Sequence, residues 1–262
     1  MLRLRQSVPH GICYPPLGKT RKPAVASSKA PGVAPAPQTV SARPANKAGD
    51  KKKLPLIIGG AAAGVIVLVL IAIFVVTPAF NKNPFKGCQA GDVVEFGSYE
   101  QDGDASNGKE PIEWRVLAVE GNRAYVVSQK ALDAHAFNAD KNDGNDWASS
   151  NLKKWVENDF ASQAFTSDEM NEIDGAPTLL SVDEANKYFK SDNDRICMPT
   201  QQAVNNGTYK DGDNGACHWW LRSRGDDSDR AAYVYAAGFM FSDGEYVDCP
   251  FLAVRPALWI NL

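Results

Sequence analysis

The sequence predicts an α+β domain with a mostly antiparallel sheet, preceded by one transmembrane helix. Three observations predict it. Residues 56–76 read LIIGGAAAGVIVLVLIAIFVV, 21 residues without a charge. A helix of about 20 apolar residues spans the ~30 Å hydrocarbon core of a bilayer. Charge is divided by that run. Residues 1–53 carry 11 basic residues and one acidic, a net of +10, while residues 81–262 carry 17 basic and 30 acidic, a net of −13. Beyond the run the pattern is strand-like, then helical, then strand-like again, which is the order of an α+β domain.

The elements follow in chain order. Residues 1–53 are rich in Pro, Ala, Ser and Lys. They lack the apolar periodicity that would offset chain entropy, so they read as a disordered basic tail. Lys51, Lys52 and Lys53 abut the span. Basic flanks stay on the cytoplasmic side, which places the N-terminus inside and the acidic domain outside. The span, taken as residues 54–80, is longer than a signal-peptide core and starts after residue 50, so it reads as an uncleaved signal-anchor. Gly60 and Gly64 form a G-x-x-x-G pair that lets two helices approach, the basis for expecting a homodimer. Residues 81–90 read as a stalk.

Residues 91–262 are long enough for one domain with its own core. Asp92–Tyr99, Ile112–Val119 and Ala124–Ser128 are β-rich runs that read as a meander. Ser149 or Ser150 caps a helix in which Leu152, Trp155, Val156 and Phe160 share a face. Thr166 with Glu169 and Ser181 with Glu184 are capping boxes, the first followed by Met170 and Ile173 on the helix. Thr200 caps a short turn. His218–Arg222, Ala231–Ala236, Phe239–Ser242 and Glu245–Asp248 read as strands, with Asp243-Gly244 as a hairpin signal. Leu252–Ile260 closes the domain, with Pro256 marking a bulge or an edge.

GDVVEFGSYEQDGDASNGKEPIEWRVL (91–117), the LKKWVENDF and LLSVDEANKYF segments, WWLRS (219–223) and VRPALWI (254–260) occur in that order. Together they resemble an uncharacterised family of bacterial surface domains, known only as a domain of unknown function. The late tryptophan strand and the final R-P strand are distantly similar to C-type-lectin-like domains. That resemblance implies paired first and last strands and ligand-bearing loops. Paired ends would bring Cys88 to Cys249 and leave Cys197 with Cys217. Four cysteines outside the membrane suit disulfides, whichever of three connectivities they adopt; a zinc site and free thiols are the alternatives.

The candidate ligand residues lie in the late loops. Trp219 and Trp220 are adjacent on a strand and face opposite ways. One belongs to the core. Trp220 is the candidate to stack on a ligand, against the alternative that both are buried. Asp211 and Asp213, and Asp226, Asp227 and Asp229, are acidic loop clusters that could hold a ligand or stay solvated. Asp140, Asp143 and Asp146 form another. Arg222 and Arg255 would pair with a ligand anion or with domain carboxylates. Asp102, Asp104, Ser106 and Glu113 stand at positions 1, 3, 5 and 12 of an EF-hand-like loop, though Gly108 is one place late. Calcium is the ion this spacing suits; the alternative is a polar hairpin, and no other cofactor is expected.

Catalysis finds little support. The histidines are His10, His135 and His218, and no G-x-S-x-G, Walker or dinucleotide loop occurs. A domain of charge −13 repels nucleic acid. The sequence therefore predicts a single-pass cell-membrane protein whose extracellular domain recognises or adheres to a glycan, peptide or protein. The alternatives are an envelope-polymer-processing enzyme and a structural or sensory membrane protein.

Overall fold

A computed structural model describes residues 83–262. The expected span, the basic tail and the Gly60/Gly64 pair lie outside these residues. Among the described residues no helix is long and apolar enough to cross a membrane.

Two five-stranded sheets are packed together. The first contains β1 (Val93–Tyr99), β2 (Glu110–Glu120), β3 (Arg123–Ser128), β5 (Ile173–Thr178) and β10 (Ala257–Asn261), in the order β1-β2-β3-β10-β5. The second contains β4 (Asp133–Ala134), β6 (Trp219–Arg224), β7 (Arg230–Val234), β8 (Met240–Tyr246) and β9 (Ala253–Val254), in the order β4-β9-β6-β7-β8. All pairings are antiparallel except β6 with β9. The mixed α/β class with mostly antiparallel sheets is thus as expected. The first and last strands do not pair. β1 is at a sheet edge, and β10 lies between β3 and β5.

Side-chain alternation on β3 shows the layering. Ala124 and Val126 join one core cluster with Ile112, Trp114, Phe160, Leu258 and Ile260. Tyr125 and Val127 point the other way, into a second cluster with Leu221, Trp219, Val234 and Ala257, which joins the two sheets. Trp220 faces a third cluster on the far side of the second sheet, with Phe137, Leu152, Val156 and Leu252.

The helices begin where local chemistry dictates. Ser150 accepts from the Lys153 N–H and starts α1 (residues 151–164). Its middle, Trp155–Phe160, is π-wound between two α-helical turns. Both capping boxes form, at α2 (Ser167–Glu172) and α3 (Val182–Tyr188). Ser191 caps α4 (Asp192–Arg195), and Thr200 caps α5 (Gln201–Asn205). Gly97 sits at a bulge in β1 with φ +67°, and a Cβ there would meet the Phe165 ring at 2.6 Å.

Four local expectations are corrected. The turn between β7 and β8 is at 235–239, where the Gly238 N–H bonds to Tyr235 O and the Tyr235 N–H to Phe239 O. Asp243-Gly244 is inside β8 instead, with Gly244 (φ +90°) against the Ala231 backbone where the register shifts. Ile173 leaves the helix as its C-cap and opens β5. Pro256 marks neither a bulge nor an edge but the point where the chain passes from β9 in one sheet to β10 in the other. Finally, Phe85 is fully buried in the first cluster, so residues expected as stalk are docked on the domain.

Candidate functional site

β6, β7 and β8 set the candidate site. Alternation puts His218 and Trp220 on one face of the second sheet. Trp220, Tyr233 and Phe241 are register partners across the three strands. One end of this face is covered and the other is not. Over Trp220 lies the loop after β4. The Trp220 Nε1–H donates to His135 O at 2.8 Å, Phe137 packs against the indole, and Trp220 is 0% exposed. Trp219 is equally buried on the opposite face, donating to Arg195 O. The two tryptophans do face opposite ways, but neither can stack on a ligand.

The uncovered end carries a continuous aromatic face. The His218 ring lies 4.8 Å from Tyr209, 4.3 Å from Tyr235 and 5.9 Å from Tyr233. Phe241 lies 5.1 Å from Tyr233, stacked, and 5.9 Å from Tyr235. All five are only partly buried. Phe239, in the adjoining turn, is 53% exposed. Burial pulls the His218 pKa down to about 4 against a weak opposing pull from Asp211, so the ring is neutral at pH 7. Its Nε2 is buried and has no partner. A buried ring nitrogen without a partner is uncommon.

Carboxylates border the rings. Asp211 Oδ1 accepts the N–H groups of Asp213 and Asn214, and Oδ2 accepts from the Tyr209 hydroxyl at 3.4 Å. Those backbone donors lower the Asp211 pKa, keeping it charged. Burial raises the Tyr233 pKa, with Glu245 and Asp243 adding to it, which places acids at the other border. Asp211 and Asp213 therefore lie beside the aromatic face.

Asp226, Asp227 and Asp229 have other surroundings. They lie in the β6–β7 loop, and Asp227 and Asp229 line an open cleft of about 660 Å³ with Lys141, Asn142, Arg230 and Tyr246. The fold brings this loop to the Asp140–Asp146 segment. Asn145 donates to the Asp227 and Arg230 carbonyls, and Arg224 pairs with Asp146 at 3.1 Å. Arg230 is turned inward over Tyr246 and beside Asp227.

The EF-hand-like loop gathers a different set from the one its spacing suggests. Glu113 is on β2, opposite Glu95. Glu100, Asp102 and Glu110 are the three whose oxygens lie within 4.8 Å of one another. Backbone N–H groups of Gln101, Gly103 and Asp104 already bind them, as in Asx-type turns.

Arg222 pairs with Glu184 through both nitrogens and also donates to Leu179 O. Among the described residues Arg255 meets no carboxylate. It is 2% exposed, donates to Ser128 O, lies over the Trp219 and Phe189 rings, and leaves one nitrogen unpartnered. Two thiols lie close by. The Cys217 thiol donates to Cys197 O at 3.4 Å and the Cys197 thiol to Gln129 O and Met198 O, and the Arg255 charge acts on both thiols. Cys88, Cys197 and Cys217 are free, so neither expected bridge is formed. Cys88 packs on the first core cluster and Cys249 in the third, a separation that follows from the unpaired chain ends.

His135 stacks on Trp155, and its Nε2 is 3.8 Å from buried Asp133. Among the described residues no serine, threonine or thiol is hydrogen-bonded to His135 or His218.

A family model described as a domain of unknown function (DUF6273) matches residues 170–262. No curated protein and no solved structure matches this chain. The matched segment starts in α2 and includes Tyr209, His218 and all of β6–β8, so the aromatic face lies wholly within it.

Proposed function

We propose that this protein is a ligand-recognition or adhesion protein whose binding surface is the aromatic face of the second sheet. The observation that carries this reading is the unbroken run of five partly exposed rings with Asp211 and Asp213 at its border. Ring faces supply large contact area at little entropic cost, and carboxylates add directional hydrogen bonds, the combination common to binding surfaces. The reading also takes the domain to be extracellular, held by a single N-in span over residues 54–80, with the domain's −13 charge outside. C-type-lectin-like ancestry enters only in that late strands and loops carry the ligand. The strand order, with β1 at an edge, departs from what that resemblance implies. The test is a glycan and peptide array probed with the full chain, with and without calcium. Binding that Tyr235→Ala and Phe241→Ala both abolish supports the reading. Binding that neither variant changes overturns it.

A further inference from the structure

We propose that the aromatic face takes a cationic side chain, a lysine or arginine presented by a partner peptide. This inference rests on the recognition reading above and names its ligand class.

Cations already cover several other rings of this chain. Arg115 and Arg255 lie over Phe189, Arg123 over Trp259, Lys187 over Tyr188, Arg230 over Tyr246, and Arg255 also over Trp219. Those six pairs exceed the usual density of about one per 70–80 residues. Yet among the described residues no arginine or lysine lies over Tyr209, His218, Tyr233, Tyr235 or Phe241. The five form a contiguous, partly exposed set that carries no cation, whereas partly exposed Tyr188, Tyr246 and Trp259 each carry one.

The nearby arginine is committed elsewhere. Arg230 donates to Gly244 O, sits over Tyr246 and pairs with Asp227 at 3.3 Å. Lys210 is exposed, with its Cε beside Gly215, and covers none of the five rings. The one titratable base within the face, His218, is held neutral by its burial and contributes no positive charge.

Charge complementarity then selects the ligand. The ring quadrupoles present negative faces. Asp211 and Asp213 stand at one border, and Glu245 acts on Tyr233 from the other. The domain behind them carries −13. A neutral sugar would use the rings and some hydrogen bonds but not this field. An ammonium or guanidinium group uses all three.

The test uses full-length protein in detergent micelles and fluorescence anisotropy of labelled peptides. The probes are a lysine-bearing peptide, its norleucine counterpart with the same stem and no charge, and a neutral oligosaccharide panel. The lysine peptide is expected to bind at least about five-fold tighter than the norleucine peptide. Tyr235→Ala and Phe241→Ala, which leave net charge unchanged, should each weaken it by about five-fold or more. Asp211→Asn with Asp213→Asn should weaken it more than Asp159→Asn with Asp168→Asn, an equal charge loss on exposed positions of α1 and α2. Near-ultraviolet circular dichroism verifies that each variant is folded. Equal binding of lysine and norleucine peptides, or equal loss from both acid pairs with none from the ring variants, overturns the cation inference. Oligosaccharide binding that the ring variants abolish would also overturn it while leaving the recognition reading intact. Probe binding indifferent to every ring variant removes both.

Discussion

His218 offers the most direct physical test of the site, because its burial links folding to pH. The folded ring has a pKa of about 4 against 6.5 when free, so it is neutral in the fold at pH 7. Above pH 6.5 neither state binds the proton and there is no penalty. Between pH 6.5 and 4 the unfolded chain binds a proton that the fold does not, so stability falls as pH falls. From those two values, folding should lose about 2 kcal/mol by pH 5 and about 3 kcal/mol by pH 4 from this group alone. His218→Phe removes the effect. It keeps the ring contacts to Tyr209 and Tyr235, and since Nε2 has no partner it gives up no hydrogen bond there. The assay is urea unfolding of both proteins across pH 7.5 to 4.5, which subtracts the carboxylates common to both. The variant should match wild type at pH 7.5 and exceed it at pH 5. Parallel stability–pH curves would refute the argument.

Four further outcomes are expected. Gly97→Ala forces a Cβ to 2.6 Å from the Phe165 ring and 2.7 Å from Ala164 O at positive φ, so it should cost about 2–3 kcal/mol by chemical denaturation. Trp220→Ala, at a fully buried indole, should cost about 3–5 kcal/mol, whereas a ligand-stacking surface residue would cost little. Arg222→Met leaves Glu184 without its bidentate partner and should cost about 2 kcal/mol, less than for a fully buried pair because roughly a quarter of each side chain is wet. Despite its burial, Glu184 has a lowered pKa owing to Arg222 and the Ser181 N–H, so that loss is present above pH 4.5 and fades as pH falls below it. On intact cells a membrane-impermeant maleimide should label Cys88, which is free and partly exposed, while Cys197 and Cys217 react only after denaturation; absence of a Cys88 signal, checked against Cys88→Ser, would contradict an outward-facing domain.

The elements that could be read from the sequence are those whose causes are local. The caps at Ser150, Thr166, Ser181 and Thr200 form because a side chain meets an N–H three residues on. What could not be read depends on distant partners. Nothing in IDGAPT marks β5; it is a strand because β10 lies beside it. Asp243-Gly244 has the letters of a turn, but its glycine serves a bulge against Ala231. Trp220 was the natural ligand candidate, and only the 135–137 loop, 85 residues earlier, decides that it is buried. The aromatic face did leave a trace. Tyr233-Val234-Tyr235 alternates with period two, which puts both tyrosines on one side of β7. That Tyr209 and His218 join them depends on the fold.

The passage at Pro256 has a consequence for how the domain is made. The first three strands of sheet one can assemble early, but β5 has no partner until β10 arrives to lie between it and β3. β9, two residues upstream of Pro256, lies between β4 and β6 and links them. Nine residues, 253–261, thus close both sheets, and they hold the last of these ten strands to be synthesised. A nascent chain stalled before them would expose two unfinished sheet edges, the surfaces most prone to mispairing. The same order means that residues 170–262, although they carry the aromatic face, lack β1–β3 and would not reproduce the first sheet on their own.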